Sequence, residues 1–177
     1  MYSRTATLII ALFIVVVAVA ETTAAPTSQP DISPPIRDLK ASELRDSFND
    51  LRNGHRHQAI DIMRPRGTPV LAVIDGTVRK LFRSRAGGNT IYEFDGTSGY
   101  CYYYAHLDQY ADNLVEGSHV SRGEVIGYIG STGNAAPNAP HLHFAIYRLG
   151  PGALWWKGLP IDPYPILVQS IKNTPPA

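Results

Sequence analysis

The chain has 177 residues, with 16 basic and 15 acidic side chains and a formal net charge of +1. This balance gives no support for a nucleic-acid-binding protein or for a protein held at membranes by charge. The single cysteine, Cys101, excludes an internal disulfide, so the stability of the one domain that this length suits must come from an apolar core, a metal, or both.

The first twenty residues have the pattern of a signal peptide. Arg4 lies in a short polar stretch before Leu8–Ala20, a run of 13 apolar residues that is short for a membrane span of about 20. The small residues at its end favour cleavage after Ala20, and an uncleaved membrane anchor is the alternative. Because cleavage would remove Arg4 and no acid, the mature chain would have no net charge with neutral histidines. We therefore expect an exported protein, periplasmic or secreted, that meets a membrane only if this segment is retained.

Two segments are predicted to flank the folded domain. Residues 21–38 are rich in Thr, Ala, Ser and Pro without periodicity, which predicts a flexible linker. Residues 169–177 are predicted to be a C-terminal tail. The domain is therefore predicted over residues 39–168, beginning with one short amphipathic helix within Ala41–Arg52, where apolar residues recur at helical spacing.

Short strands and tight turns are predicted for the rest of the domain. Asp75-Gly76, Gly87-Gly88 and Asp95-Gly96 are turn signals typical of hairpins. The predicted strands are Val70–Val73, Thr77–Phe82, Asn89–Phe94, Tyr100–Ala105, Val125–Ile129 and His141–Tyr147. Many short strands with Gly-rich turns are typical of an antiparallel sandwich or barrel, so the predicted fold class is mainly β.

Two histidines lie side by side on the last predicted strand. Successive side chains of a strand face opposite sides, so His141 and His143 share one face. The apolar residues between and after them face the other side, where the core is expected: Leu142, Phe144 and Ile146. Two imidazoles on the open face predict a functional site.

His57 and Asp61 are four residues apart, which in a strand also places both side chains on one face. Imidazole and carboxylate are standard zinc ligands. Two histidines and one carboxylate leave a coordination position open, as in a catalytic zinc site that lowers the pKa of bound water to roughly 7. His55 forms a second His-x-His with His57, so spacing alone leaves it as an alternative ligand.

Hydrolysis at such a centre also needs a base and a group that stabilises the developing oxyanion. His106, at the end of a predicted strand, and His141 are the remaining candidates. The helical H-E-x-x-H pattern is absent from the sequence, so the base is predicted to be a histidine.

Three motifs in this order resemble the lysostaphin/LytM-type zinc endopeptidases. They are H-x-x-x-D at 57–61, Tyr-Ala-His-Leu at 104–107 and His-Leu-His-Phe at 141–144. The intervening turn sequences are similar as well, and the resemblance covers residues 39–168. Two features depart from the pattern: Ala59 stands where many members have glycine, and no upstream groove-lining tyrosine can be assigned.

The resemblance implies a compact β fold with the active-site groove on an antiparallel sheet. It implies that His57, Asp61 and His143 bind Zn²⁺, and that His106 and His141 act as base and transition-state stabiliser in either order. The implied substrate is a peptide bond of bacterial peptidoglycan, with direct cross-links favoured over glycyl bridges. A non-catalytic LytM-like module that activates other wall hydrolases is the alternative. We expect a monomer with no nucleic-acid partner.

Four further features have two interpretations each. Cys101 is predicted to be a small buried residue and not a nucleophile. The neighbouring tyrosines at 100, 102, 103 and 104 are predicted mainly as strand packing, with groove lining as the alternative. The loop at 130–140 either borders the groove or only connects two strands. The basic residues at 79, 80, 83 and 85 favour a solvated sheet edge over a surface for anionic wall polymers.

Overall fold

The structure is a computed structural model that describes residues 29–52, 54–97 and 99–173. The predicted signal peptide, the cleavage position and the first residues of the predicted linker lie outside the described residues. Within the described part of the chain, no helix combines the length and the apolar character needed to cross a membrane.

Strands make up most of the regular structure. In chain order they are β1 (Leu51–Arg52), β2 (His55–Arg56), β3 (Ile60–Met63), β4 (Pro69–Leu71), β5 (Gly76–Ser84), β6 (Gly88–Asp95), β7 (Tyr100–Tyr110), β8 (His119–Val120), β9 (Val125–Ile129), β10 (His141–Leu149) and β11 (Gly158–Ile161). Among the described residues, a 3₁₀ turn, Ala41–Glu43, precedes the strands, and an α-helix, α1 (Pro163–Asn173), follows them.

Nine of these strands form one antiparallel sheet. Its hydrogen-bonded order is β11-β10-β7-β6-β5-β8, with β3 also paired to β10 and β9 paired to both β7 and β4. The two remaining strands, β1 and β2, form a small separate hairpin. The prediction of a mainly β, antiparallel fold is therefore confirmed.

The apolar core lies against one face of this sheet. On β10, Leu142, Phe144 and Ile146 are fully buried, as their alternation predicts. On β7, the even-numbered tyrosines 100, 102 and 104 are buried in the same core. Each fully buried large apolar side chain contributes about 1.5–3 kcal/mol, so this face supplies the main stabilisation. The odd-numbered residues of both strands are left for the opposite face.

Two of the three predicted turn signals join paired strands. The turn ending at Gly88 connects β5 to β6, and the turn at Asp95 connects β6 to β7. Asp75-Gly76 does not form a hairpin, because β4 pairs with β9 and not with β5. Beyond Thr77 the outer side of β5 has no partner strand in the described residues, and this edge carries the basic cluster, in accord with the sheet-edge interpretation.

The helix predicted within Ala41–Arg52 does not form over that range. The structure has only the 3₁₀ turn there, and Leu51 lies in β1 with 78% of its surface exposed. The physical reason is that backbone carbonyls of this segment are used elsewhere. Phe48 and Asp50 accept hydrogen bonds from the N–H groups of Gln58 and His57, so the segment is tied to the loop that carries His57.

Both predicted flanking segments contribute buried residues to the domain. Ile32 and Ile36, placed in the linker by the sequence, are 3% and 2% exposed. Ser170, placed in the tail, lies on α1 and donates a 2.6 Å hydrogen bond to the carbonyl of Ile32. Leu167 of the same helix is fully buried. These corrections extend the packed unit at both ends, through tertiary contacts that leave no local pattern in the sequence.

Candidate metal centre

Asp61 and His143 meet as direct cross-strand neighbours. β3 and β10 pair so that these two residues lie opposite each other. The Nδ1 atom of His143 is 3.2 Å from Oδ1 of Asp61. Their apolar neighbours, Ile60 and Ile62 on β3, are fully buried on the core side. The alternation of each strand therefore turns both functional side chains toward the open face.

His57 reaches the same place from a loop. It follows β2, and the next residue, Gln58, adopts a left-handed φ of 55°. The prediction that His57 and Asp61 lie on one strand is therefore wrong, because His57 lies in the loop between β2 and β3. The side chains still converge: Nε2 of His57 lies 3.0 Å from Nδ1 of His143 and 3.2 Å from Oδ1 of Asp61.

These three side chains offer two imidazole nitrogens and one carboxylate oxygen within 4.8 Å of one another. Nδ1 of His57 lies 3.2 Å from the carbonyl of Ser47, so Nδ1 carries the proton and Nε2 faces the centre with its lone pair. Arg52 binds the other carboxylate oxygen of Asp61 at 2.8 Å and leaves Oδ1 toward the imidazoles. This donor set fits a zinc ion.

The local electrostatics favour the protonation states that a metal needs. Burial lowers the pKa of His143, so its imidazole is neutral at neutral pH. Burial acts to raise the pKa of Asp61, but its close polar contacts with His143 and His57 outweigh burial and hold that pKa below its usual value. A neutral imidazole and an ionised carboxylate are the forms that bind a metal ion.

A bulge in β7 aims His106 at the same centre. Tyr104 and Leu107 are three positions apart on β7, while their partners Ile91 and Asn89 on β6 are two positions apart. His106 has a left-handed φ of 61°, a conformation that is costly for a non-glycine residue and is found preferentially at functional sites. Its side chain is buried, which lowers the pKa of the imidazole to about 4.

Backbone carbonyls fix the rings of both additional histidines. Nδ1 of His106 lies 2.8 Å from the carbonyl of Thr132, and Nδ1 of His141 lies 2.9 Å from the carbonyl of Ala139. The two ring centres are 4.8 Å apart, and Nε2 of His141 is 3.8 Å from Oδ1 of Asp61. The structure thus brings all five predicted residues together, and both carbonyls come from the 130–140 loop.

Three of the five residues, His57, His106 and His143, line an open groove of about 360 Å³. Its walls include three tyrosines, Tyr92, Tyr103 and Tyr147, and the ring of Tyr103 is 5.9 Å from that of His143. Asn134 adds a wall from the 130–140 loop, so that loop borders the groove. His55, the alternative ligand, lines the groove without joining the three-residue group.

Sequence reasoning missed Arg52 and did not distinguish the tyrosines. Arg52 belongs to the β1–β2 hairpin, which no sequence pattern predicted. Alternation along β7 could have identified Tyr103, since it is the one tyrosine of the cluster with odd parity, on the face opposite the core. Cys101 has the same parity but is fully buried, packed with Phe94 and Leu149. Burial raises the pKa of its thiol well above the usual range, so Cys101 is a buried residue, as predicted, and not a nucleophile.

Sequence comparisons show similarity to peptidases. Residues 55–163 match the model for Peptidase family M23. The L-Ala--D-Glu endopeptidase of Bacillus subtilis is 35% identical over 131 residues, which cover 70% of this chain and 39% of that protein. Lysostaphin of Staphylococcus simulans is 37% identical over 93 residues, or 52% of this chain and 18% of that protein. The chain thus spans well under half the length of these relatives.

Solved structures show the same fold. The catalytic domain of lysostaphin from Staphylococcus simulans superposes with a TM-score of 0.55 at 33% identity, covering 64% of this chain and 80% of that one. The lytM protein of Ruminococcus gnavus gives a TM-score of 0.62 at 30% identity, covering 81% of this chain and 59% of that one.

Proposed function

The chain belongs to peptidase family M23, and from this membership we propose that it is a zinc-dependent endopeptidase that hydrolyses peptide cross-links in bacterial peptidoglycan. The observation that carries the proposal is the convergence of His57, Asp61 and His143 on one point, with the rings of His106 and His141 beside it. Convergent titratable groups of this kind in a groove mark a catalytic site.

The three-residue group would hold the zinc ion, and Arg52 would keep Asp61 turned toward it. When bound, zinc supplies a Lewis acid and lowers the pKa of water. His106 and His141 supply the protein's own acid–base chemistry. Each ring donates its Nδ1 proton to a backbone carbonyl, so each presents Nε2 to the groove. The unprotonated Nε2 of one ring would accept the proton of the attacking water, and the other ring, in its protonated form with an N–H at Nε2, would stabilise the developing oxyanion.

The names of the relatives support the proposed substrate class. Three of them are an L-Ala--D-Glu endopeptidase, a glycyl-glycine endopeptidase and a DD-carboxypeptidase/endopeptidase. These names denote three different bonds, so the family does not fix the bond cleaved here. The common element is the hydrolysis of a peptide bond. A chain that cleaves peptidoglycan peptides must be exported, in agreement with the N-terminal sequence pattern.

Digestion of defined substrates tests the proposal. The zinc-loaded protein is incubated with cross-linked muropeptides, and the products are identified by mass spectrometry. Cleavage that a chelator abolishes and added zinc restores is the expected result. If the protein binds stoichiometric zinc but leaves every muropeptide intact, the proposal that it is an enzyme is wrong. The alternative of a non-catalytic binding module would then be favoured.

A further inference from the structure

Aromatic side chains continue the groove away from the metal centre. We define the aromatic ridge as Phe82, Tyr92, Trp155 and Trp156. The ring of Tyr92 is 4.8 Å from groove residue Tyr103 and 4.9 Å from Trp155. Trp155 in turn lies 5.4 Å from Phe82 and 5.3 Å from Trp156. The ridge and the groove therefore form one continuous aromatic surface.

One side of the ridge packs against buried residues, and the other side is an exposed apolar surface. Trp155 is half-buried and packs over the small apolar cluster that contains Cys101 and Leu149. Trp156 is 63% exposed and Phe82 is 40% exposed. Single exposed apolar residues are common on proteins, but contiguous exposed aromatic rings beside a functional groove are typical of a binding surface. Holding Trp155 in place lowers the entropy lost on binding.

The charge of the groove indicates what the ridge can bind. The groove end nearest the ridge is lined by the hydroxyl-bearing rings of Tyr92, Tyr103 and Tyr147. Arg52 is the lining residue with a fixed positive charge, and it is bound to Asp61 at the metal centre. The tyrosines offer no positive charge to the carboxylates of a peptide stem. They do suit a neutral sugar ring. Its C–H face packs on the negative face of an aromatic ring, and its hydroxyl and acetamido groups can form hydrogen bonds with tyrosine hydroxyls.

We propose that the aromatic ridge binds a neutral N-acetylated sugar ring of the glycan strand that carries the peptide held in the groove. The proposal rests on the proposed function, since it assumes a peptidoglycan substrate. It assigns Trp156 as the outermost stacking residue and Trp155 as its support. The ridge then helps to select peptides that are still attached to glycan.

Kinetics on paired substrates test the ridge. The same cross-linked peptide is supplied with and without its disaccharide, to the wild type and to the Trp156→Ala variant. We expect KM for the glycan-bearing substrate to rise roughly three- to tenfold in the variant, the factor that one aromatic contact supplies. KM for the sugar-free peptide and kcat for both substrates should stay unchanged. Val115→Ala, which truncates another exposed apolar residue (60% exposed) outside the ridge, should change neither substrate.

If KM changes equally for the two substrates, or for neither, the proposal that the ridge binds a sugar is wrong. The proposed peptidase activity would not be affected by that result. A binding arm separates the two proposals if no peptide is cleaved. Titration of the zinc-loaded wild type and Trp156→Ala with an N-acetylglucosamine oligosaccharide, followed by calorimetry, should show weaker binding by the variant. Binding that is absent, or equal in both proteins, would sink the ridge proposal whatever the outcome for hydrolysis.

Discussion

At the residue scale, the candidate site is organised by backbone carbonyls that orient histidine rings. The carbonyls of Ser47, Thr132 and Ala139 each face an Nδ1 atom, of His57, His106 and His141 respectively. Each contact fixes the orientation of one ring and turns Nε2 away from the carbonyl; for His57 and His141, Nε2 lies near Asp61. His143 differs, because its Nδ1 faces the centre. Ring orientation is therefore set before substrate arrives, which is the condition for effective electrostatic catalysis.

This division predicts two classes of histidine variant. His106→Ala and His141→Ala should retain about one zinc per chain and lose about 10²–10⁴-fold in hydrolysis, the contribution of a positioned acid or base. His143→Ala and Asp61→Ala should lose both zinc and activity, because each removes a ligand. Zinc analysis beside muropeptide hydrolysis distinguishes the classes. If His141→Ala loses zinc while His143→Ala keeps it, the two assignments are exchanged.

At the element scale, two loops and a strand bulge meet behind His106. The backbone N–H of His106 donates a 2.8 Å hydrogen bond to the carbonyl of Gly87, which lies in the turn before β6. The 130–140 loop packs so closely on that turn that a side chain at Gly133 would overlap backbone atoms of Ala86 and Gly88. The left-handed φ of His106 is thus maintained by elements far apart in sequence.

Gly133→Ala should therefore impair both stability and catalysis. Gly133 has a φ of 76°, so alanine costs about 1–2 kcal/mol from the backbone alone, and displacing the turn should add about 1–3 kcal/mol. Movement of the 130–140 loop should also disorient His106 and lower kcat. Gly123→Ala is the matched control, since Gly123 has a φ of 84° with nothing within 4 Å of the added carbon. Urea unfolding and kcat measure the two effects, and equal losses in both variants would refute the packing argument.

At the scale of the whole molecule, the two faces of the sheet have different properties. The core face is apolar, and Glu93 is the acid that lies fully buried there among the described residues; it accepts a hydrogen bond from the hydroxyl of Tyr104. The opposite face has the groove, the metal centre and the ridge. Stability and the candidate chemistry are therefore separated by the thickness of one sheet, so that changes to groove side chains need not disturb the core.

Glu93 should make the stability of the domain depend on pH. Burial raises its pKa to about 7 from an ordinary 4.5, although the hydrogen bond from Tyr104 opposes the shift. The unfolded chain thus releases this proton at lower pH than the folded one, so the contribution of Glu93 is complete below about pH 4.5 and is lost as pH rises to about 7. We expect the free energy of unfolding, measured by urea titration, to fall between about pH 4.5 and pH 7 in the wild type more than in the Glu93→Gln variant. Parallel curves for the two proteins would show that Glu93 does not titrate there.

The sequence determined the fold class to a large extent and indicated five candidate site residues, because both depend on local patterns. Alternation along 141–147 separates the core residues from the histidines whatever the strand pairs with. Motif order and spacing indicated the family, which the family match confirms. The chemical functions of the five residues stay predictions.

The tertiary structure alone decided the rest, because it depends on contacts between residues distant in sequence. The segment within Ala41–Arg52 had helical spacing, yet its carbonyls bond to the loop of His57 instead. No local pattern in the sequence indicates that Ile32 and Ser170 are buried. In the structure both are buried, and the hydroxyl of Ser170 donates a hydrogen bond to the carbonyl of Ile32. The pairing of Arg52 with Asp61 and the alignment of Trp155 with Tyr92 likewise require the folded sheet. Sequence periodicity reports which face a residue occupies, and only the packing of elements decides what lies opposite it.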